Sequence, residues 1–213
     1  MSSKRAVIFA GGNLDPIFLN AINEDDFLIG ADEGALFLIS HGVTPDIAVG
    51  DFDSVTQEEL EEIKALSRET ITCDPVLKDL TDSEMALELA MSTQPEQILL
   101  VGVTGTRLDH TLASIQMMTR ALQRQIICSV MDANNYITLT DSQALVEEQG
   151  YTYVSLLPLT PEVTGITLEG FQYPLTDATL KLGQSLGVSN RLIARSGTVS
   201  ITSGLLLIIQ SKD

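Results

Sequence analysis

Basic side chains are scarce in this chain. Its 213 residues hold 12 Lys and Arg against 29 Asp and Glu, a formal charge of −17. General binding to nucleic acid or to an anionic membrane needs a positive face, so this balance speaks against both as partners. An anionic small molecule is not excluded. Carboxylates bind a polyphosphate when a divalent cation lies between them, and fields from distant surface charges fade over about 8 Å at physiological salt. Cysteine is nearly absent too. Cys73 and Cys128 sit in apolar stretches without CxxC spacing, which points to reduced core thiols rather than zinc ligands or nucleophiles. Histidine occurs twice, and no Ser-His-Asp or Cys-His arrangement is apparent. No apolar run approaches the roughly 20 residues that span a bilayer. The opening Lys4-Arg5 and the short apolar segment to Gly12 lack a secretory core and cleavage site, so they read as a first buried strand and a cytoplasmic protein.

What is present is enough apolar material, 44%, to build real cores in one large domain or two modest ones. Up to about residue 132, short apolar strands alternate with helical segments. Strands are expected at 6–10, 27–31, 47–50, 70–73, 98–102 and 126–131. Capping boxes at Thr56/Glu59 and Thr81/Glu84 open two helices, a third should run over 108–123, and His41 reads as a helix-end residue. This alternation predicts an α/β domain over residues 1–132, with a Rossmann-like, mainly parallel sheet and helices on both faces. After Asp132-Ala133-Asn134-Asn135 the texture changes. Segments 136–140, 151–157, 165–169, 178–182, 197–202 and 205–210 are short, often alternating, and divided by Gly, Pro, Asn or Asp. They predict an all-β sandwich or barrel over 135–213.

Three motifs carry chemistry. Gly50-Asp51-Phe52-Asp53-Ser54 follows an expected strand and precedes a capped helix, where open parallel sheets bind ligands. Carboxylates at i and i+2 meet one ion if the turn bends, which Gly50 would permit. Hard cations such as Mg²⁺ take oxygen ligands and keep positions for phosphate. The same aspartates also serve as ordinary turn caps. Lys78-Asp79-Leu80-Thr81-Asp82 enters the second capped helix. A carboxylate there is stabilised by the helix dipole, the free N–H groups suit phosphate, and Lys78 adds a point charge. Asp32, at the end of the second strand, adds a carboxylate at the same sheet edge. The third motif is Gly102-Val103-Thr104-Gly105-Thr106-Arg107-Leu108-Asp109-His110. Its glycines allow backbone approach, and the fork of Arg107 suits phosphate oxygens. Asp109 is a candidate for the metal shell or for taking a proton, and His110 for a helix cap. Ala10-Gly11-Gly12-Asn13 matches neither the dinucleotide fingerprint nor the P-loop. The inventory suits phosphoryl-type transfer, which depends on positioning and charge stabilisation.

In order and over nearly the whole chain, these motifs resemble the thiamine pyrophosphokinase family in its bacterial form. The likeness runs through Ala31-Asp32-Glu33-Gly34-Ala35 and the three motifs above. It continues with Ser155-Leu156-Leu157-Pro158, Gly165-Ile166-Thr167-Leu168-Glu169-Gly170 and Gly187-Val188-Ser189-Asn190. The resemblance implies Mg²⁺-dependent transfer of the diphosphate of ATP to the hydroxyl of thiamine. It implies an N-terminal catalytic domain, a C-terminal β-sandwich that helps bind thiamine, and a homodimer with active sites between subunits. By that likeness Asp51, Asp53 and Asp82 form the metal shell with Asp32 beside it. Thr81, Arg107 and Asp109 serve the nucleotide, and Ser189 and Asn190 fall in the segment that approaches thiamine; Lys78 and Thr104 join the nucleotide candidates from the motifs themselves. Eukaryotic relatives place a tryptophan against the thiamine ring; this chain has none, so the stacking partner stays open.

Two other classes fit part of the pattern. Asp51-x-Asp53-x-Val55 also matches the motif of aspartyl-phosphate phosphatases, although it falls on the third expected strand and no later acidic motif completes it. A non-enzymatic nucleotide or magnesium sensor would share most of these ligands.

Overall fold

The computed structural model describes residues 4–73 and 80–213. The chain forms two compact units, Met1–Asp132 and Ala133–Asp213. It is a mixed α/β protein with a large, mostly parallel sheet and a separate β-rich C-terminal region.

In the first unit the strands are β1 (Arg5–Phe9), β2 (Phe27–Ala31), β3 (Ile47–Gly50), β4 (Glu69–Thr72), β5 (Gln97–Val101) and β6 (Ile127–Met131). They lie in the order β4-β3-β2-β1-β5-β6, and every pairing among them is parallel. Central strands must be apolar on both faces, and β1 buries Ala6, Val7, Ile8 and Phe9 completely. The edge strand β4 buries none of its residues. The helices are α1 (Glu33–Ser40), α2 (Gln57–Leu66), α3 (Asp82–Ser92) and α4 (Leu108–Gln123), with a short 3-10 helix over Pro16–Ala21 that the sequence pattern did not reveal.

The helix starts follow local chemistry. At α2 the expected capping box is complete: Thr56 accepts from the Glu59 N–H while the Glu59 side chain accepts from the Thr56 N–H. At α3 only half of the expected box forms. Thr81 accepts from the Glu84 N–H at 3.2 Å, but the Glu84 carboxylate pairs with Arg120 of α4. A charged partner on a packed helix competes better than one backbone N–H.

The second unit has β7 (Asn135–Thr140), β8 (Gln143–Glu147), β9 (Tyr153–Pro158), β10 (Glu162–Glu169), β11 (Ala178–Lys181), β12 (Ser196–Ser200) and β13 (Leu206–Ser211). Antiparallel pairing joins β7-β13-β9 and, separately, β11-β10-β12-β8. One apolar cluster draws on both groups, with Val154, Leu156 and Ile208 from the first and Val146, Val163, Ile166 and Val199 from the second. Two features depart from the sequence reading. The edge strand β8 was not anticipated, because Val146 is its one buried residue. Gly165, expected to open a strand, instead lies inside β10 at a register shift between Val163 and Ile166. Its φ is +68°, and an added Cβ would lie 2.0 Å from Thr202 Oγ1, so glycine is required there.

Candidate active site

The carboxyl ends of β1, β2, β3 and β5 open onto a cleft of about 1000 Å³. Strand order reverses between β1 and β5, which is where an open parallel sheet parts its loops and admits ligands.

Parallel register builds the acidic wall. Ala31 pairs with Val49, and the Asp32 N–H donates to the Val49 carbonyl at 2.9 Å, so Asp32 and Asp51 leave adjacent strands side by side. The bend after β3 is made by Phe52 rather than by Gly50. Phe52 sits in the left-handed region at φ +56°, which a bulky side chain rarely adopts. Its ring is 4% exposed and packs with Ala35, Ile39, Ala48 and Ile63. An apolar anchor thus divides two carboxylates that face the cleft. Gly50 supplies space: a Cβ there would lie 3.3 Å from Asp82 Oδ1.

Oxygen atoms of Asp32, Asp51 and Asp53 all lie within 4.8 Å of one another. Asp82, at the start of α3, adjoins them, with Oδ1 accepting from the Asp51 N–H at 3.3 Å. The sequence reading had placed Asp32 beside the metal shell; here it belongs to the tightest group. Its backbone is strained, at φ +51°, and its Oδ1 is buried with no hydrogen-bond partner. Burial pushes its pKa above the usual 3.8, a hydrogen bond from Ser54 opposes that, and the charges of Asp82, Asp51 and Asp53 add to the rise. An unpartnered carboxylate oxygen among other carboxylates is what a hard cation would satisfy, and the donor set is all oxygen. The residues fit Mg²⁺.

A second stretch of wall comes from the glycine loops. The Gly12 N–H donates to the Gly102 carbonyl at 2.6 Å and the Asn13 N–H to the Thr104 carbonyl at 2.8 Å. Gly102 has φ +70°, and a Cβ there would lie 2.3 Å from the Ala10 carbonyl. Thr81 and Thr104 both line the cleft, Thr81 as the α3 cap. Arg107 and Asp109 stand exposed on its rim and pair at 2.7 Å. That contact raises the pKa of Arg107 and lowers that of Asp109. Lys78 lies outside the described residues. Ser189 and Asn190 belong to the second unit. The buried Asn190 side chain brackets Tyr173, accepting from its N–H at 3.0 Å and donating to its carbonyl at 2.8 Å. Ser189 adopts φ +61°, and its N–H donates to Ser155 Oγ.

The sequence reading assigned no role to several residues that line this cleft. Ser54 donates to Asp53 at 3.2 Å besides its contact with Asp32. Ala113, Ser114 and Met117 of α4 also face it, together with His110, which was expected only as a helix cap. Their spacing of i, i+3, i+4 and i+7 was readable as one helical face, but it carries no charge pattern that marks it as functional.

Two family models match the chain. Residues 18–130 match the thiamin pyrophosphokinase catalytic domain, and residues 142–206 the thiamin pyrophosphokinase vitamin B1 binding domain. The chain is 34% identical to the thiamine pyrophosphokinase of Bacillus subtilis, over 97% of this chain and 98% of that one. The crystal structure of the Bacillus subtilis enzyme superposes with a TM-score of 0.91, covering 99% of this chain and 100% of that one. Yeast thiamin pyrophosphokinase shares the fold at 14% identity, with a TM-score of 0.80 over 100% of this chain and 87% of that one.

Proposed function

The chain belongs to the thiamine pyrophosphokinase family, and from that premise we propose how its cleft serves the reaction. The activity is transfer of the diphosphate of ATP to the hydroxyl of thiamine, giving thiamine diphosphate and AMP. The reading of the site rests on one observation: Asp32, Asp51 and Asp53 converge at the sheet edge and leave Asp32 Oδ1 buried without a partner.

Asp32, Asp51 and Asp53 would hold Mg²⁺, with Asp82 adjoining. Bound there, the ion would neutralise the polyphosphate and polarise the β-phosphorus for attack. The chain's own residues do the rest. The N-terminal end of α3 and the glycine loops cradle phosphate oxygens. Arg107, cationic at any working pH, offsets charge that develops as the bond to AMP breaks, and Asp109 holds its fork at the rim. Lys78, from its place in the sequence motif ahead of α3, adds a second cation. A carboxylate of the acidic wall takes the hydroxyl proton. The cationic thiamine ring is drawn to carboxylates, and by family likeness Ser189 and Asn190 fall in a thiamine-binding segment.

The finer architecture follows the same reading. Right-handed crossovers put α1 and α2 on one face of a Rossmann-like sheet and α3 and α4 on the other, which the packing of α1 on α2 and of α3 on α4 supports. The shared apolar cluster supports a β-sandwich for residues 135–213 as the thiamine-binding domain, with 1–132 as the catalytic one. We read the working form as a cytoplasmic homodimer with active sites where subunits meet.

Incubation with ATP, Mg²⁺ and thiamine tests the assignment. AMP and thiamine diphosphate should appear together and cease when EDTA removes the metal. Phosphate release that needs no thiamine would mean a phosphatase, and absence of turnover a sensor; either overturns it.

A further inference from the structure

The same capping signature occurs twice in this chain and ends differently. Thr56 and Glu59 open α2, and Thr81 and Glu84 open α3. At α2 the Glu59 carboxylate folds back onto its own first turn. It accepts from the Thr56 N–H at 2.7 Å and from the Thr56 hydroxyl at 3.0 Å, and it makes no ion pair with any described residue. At α3 the Glu84 carboxylate turns away instead, to Arg120 of α4. Arg120 also lies 2.5 Å from Glu88, and Arg124 meets Glu88 at 3.1 Å. Carboxylates at i and i+4 of α3 thus interleave with guanidinium groups at i and i+4 of α4.

The two helix ends also differ in what surrounds them. Thr81 and Asp82 line the cleft, and Asp82 Oδ1 accepts from the Asp51 N–H beside the acidic group. Thr56 and Glu59 are not part of that lining. A Glu84 carboxylate that completed its capping box would stand at the cleft, on a helix end that favours negative groups. It would compete there with a phosphate and add one more negative charge to a wall already rich in aspartate. At α2 the same closure is purely structural.

We infer that Arg120 is a positioning residue for phosphate binding: by holding Glu84 against α4 it keeps that carboxylate off the amino end of α3. This rests on the reading that the amino end of α3 cradles phosphate. Arg120 does not line the cleft, so it acts through Glu84 rather than on the substrate. Removing Arg120 frees Glu84 to complete the box, which caps the empty helix and opposes an incoming anion. The harm then comes from the freed carboxylate and not from the lost ion pair, so deleting the carboxylate as well undoes it.

Kinetics, ligand binding and urea denaturation of three variants test this. Arg120→Met should raise KM for ATP and Kd for magnesium tripolyphosphate together by about threefold to tenfold, the range for one charge at a helix amino end. Its kcat and KM for thiamine should stay within about twofold of the wild type. Arg120→Met/Glu84→Ala should bring KM for ATP and the tripolyphosphate Kd back to within about twofold of the wild type, although the ion pair is still missing. Arg120→Lys, which keeps a cation for Glu84, should lie closer to the wild type than Arg120→Met in both constants. Stability should move the other way: ligand-free Arg120→Met should unfold at a higher urea midpoint than the double variant, because its freed Glu84 caps α3. Wild-type constants in Arg120→Met overturn the proposal. So does a double variant that binds no better than Arg120→Met, or one that gains binding and stability together, because Arg120 would then only clamp two helices. Failure of the phosphate reading shows separately, as a wild-type protein that does not bind magnesium tripolyphosphate.

Discussion

The two units handle left-handed backbone differently. In the C-terminal unit, five positive-φ positions are glycines: Gly150, Gly165, Gly170, Gly183 and Gly204. Glycine adopts that conformation without a Cβ penalty, so at these five positions the β scaffold turns without strain. At the sheet edge of the first unit the same region is taken by Asp32 and Phe52, which carry or anchor the carboxylates. Strain of about 1–3 kcal/mol per such residue persists only where the surroundings enforce it, and here parallel register and the cluster around Phe52 do so. Asp177, at φ +48°, and Ser189 are the two non-glycine exceptions in the second unit. Ser189 sits at φ +61° within the segment whose family likeness points to thiamine. At the cleft the strained positions belong to side chains that carry or anchor the carboxylates, whereas most left-handed positions of the β unit are unstrained glycines.

That contrast is open to direct attack. The largest effect should come from Asp51→Asn, which should lower turnover by about a hundredfold or more at limiting Mg²⁺, because an amide is a poorer ligand for a hard cation. Its thermal midpoint should stay near the wild type, and wild-type turnover would discredit the acidic wall as a metal site. In the other unit the effect should fall on stability. Gly165→Ala forces a Cβ onto Thr202 at positive φ, and should destabilise by about 1–3 kcal/mol in chemical denaturation while activity per folded molecule is unchanged.

Smaller, and opposite in sign for stability and function, is Asp32→Asn. It removes the ionised, unpartnered oxygen while Asn tolerates the left-handed region. Without Mg²⁺ the variant should be more stable wherever Asp32 of the folded wild type is ionised, by less than about 1 kcal/mol once solvent screening is allowed for, and less active with Mg²⁺. The pH dependence follows from the raised pKa of Asp32. The folded state binds that proton more tightly than the unfolded chain, so this carboxyl's contribution to stability falls as pH rises from 3.8 through the folded-state value. Denaturation of wild type and Asp32→Asn across that window should reveal the slope as their difference; parallel curves would remove Asp32 from the account. The smallest effect contrasts the two thiols. Burial pushes the Cys128 pKa up to about 12, so alkylation at pH 8 should modify half-buried Cys73 first and reach Cys128 only on unfolding.

Much of the frame was legible because it is local. The apolar runs at 27–31 and 47–50 are β2 and β3 to the residue, and the helix expected over 108–123 is α4. The Thr56 box formed in full because both partners lie within one turn. Features that depend on distant residues were not legible. Glu84 left its cap for Arg120, on another helix. Gly165 looked like a strand start because the register that makes it a bulge is set by partner strands. In the acidic motif the glycine drew attention to itself, but the bend fell on Phe52, held by a pocket that several separate segments assemble.

By itself the sequence determined the kinds of groups available: aspartates, glycines and an arginine placed where strands give way to helices, and a shift from helical to alternating periodicity after residue 132. Such properties are fixed over a few residues by backbone geometry and hydrophobic spacing. Only the tertiary structure decided which carboxylates meet. Asp32 joins Asp51 and Asp53 because β2 and β3 pair in parallel, and no local preference sets the partner of a strand. The uncharged face of α4 became a wall for the same reason. A helix carries its stripe wherever it packs, and the surrounding fold alone determines what that stripe faces.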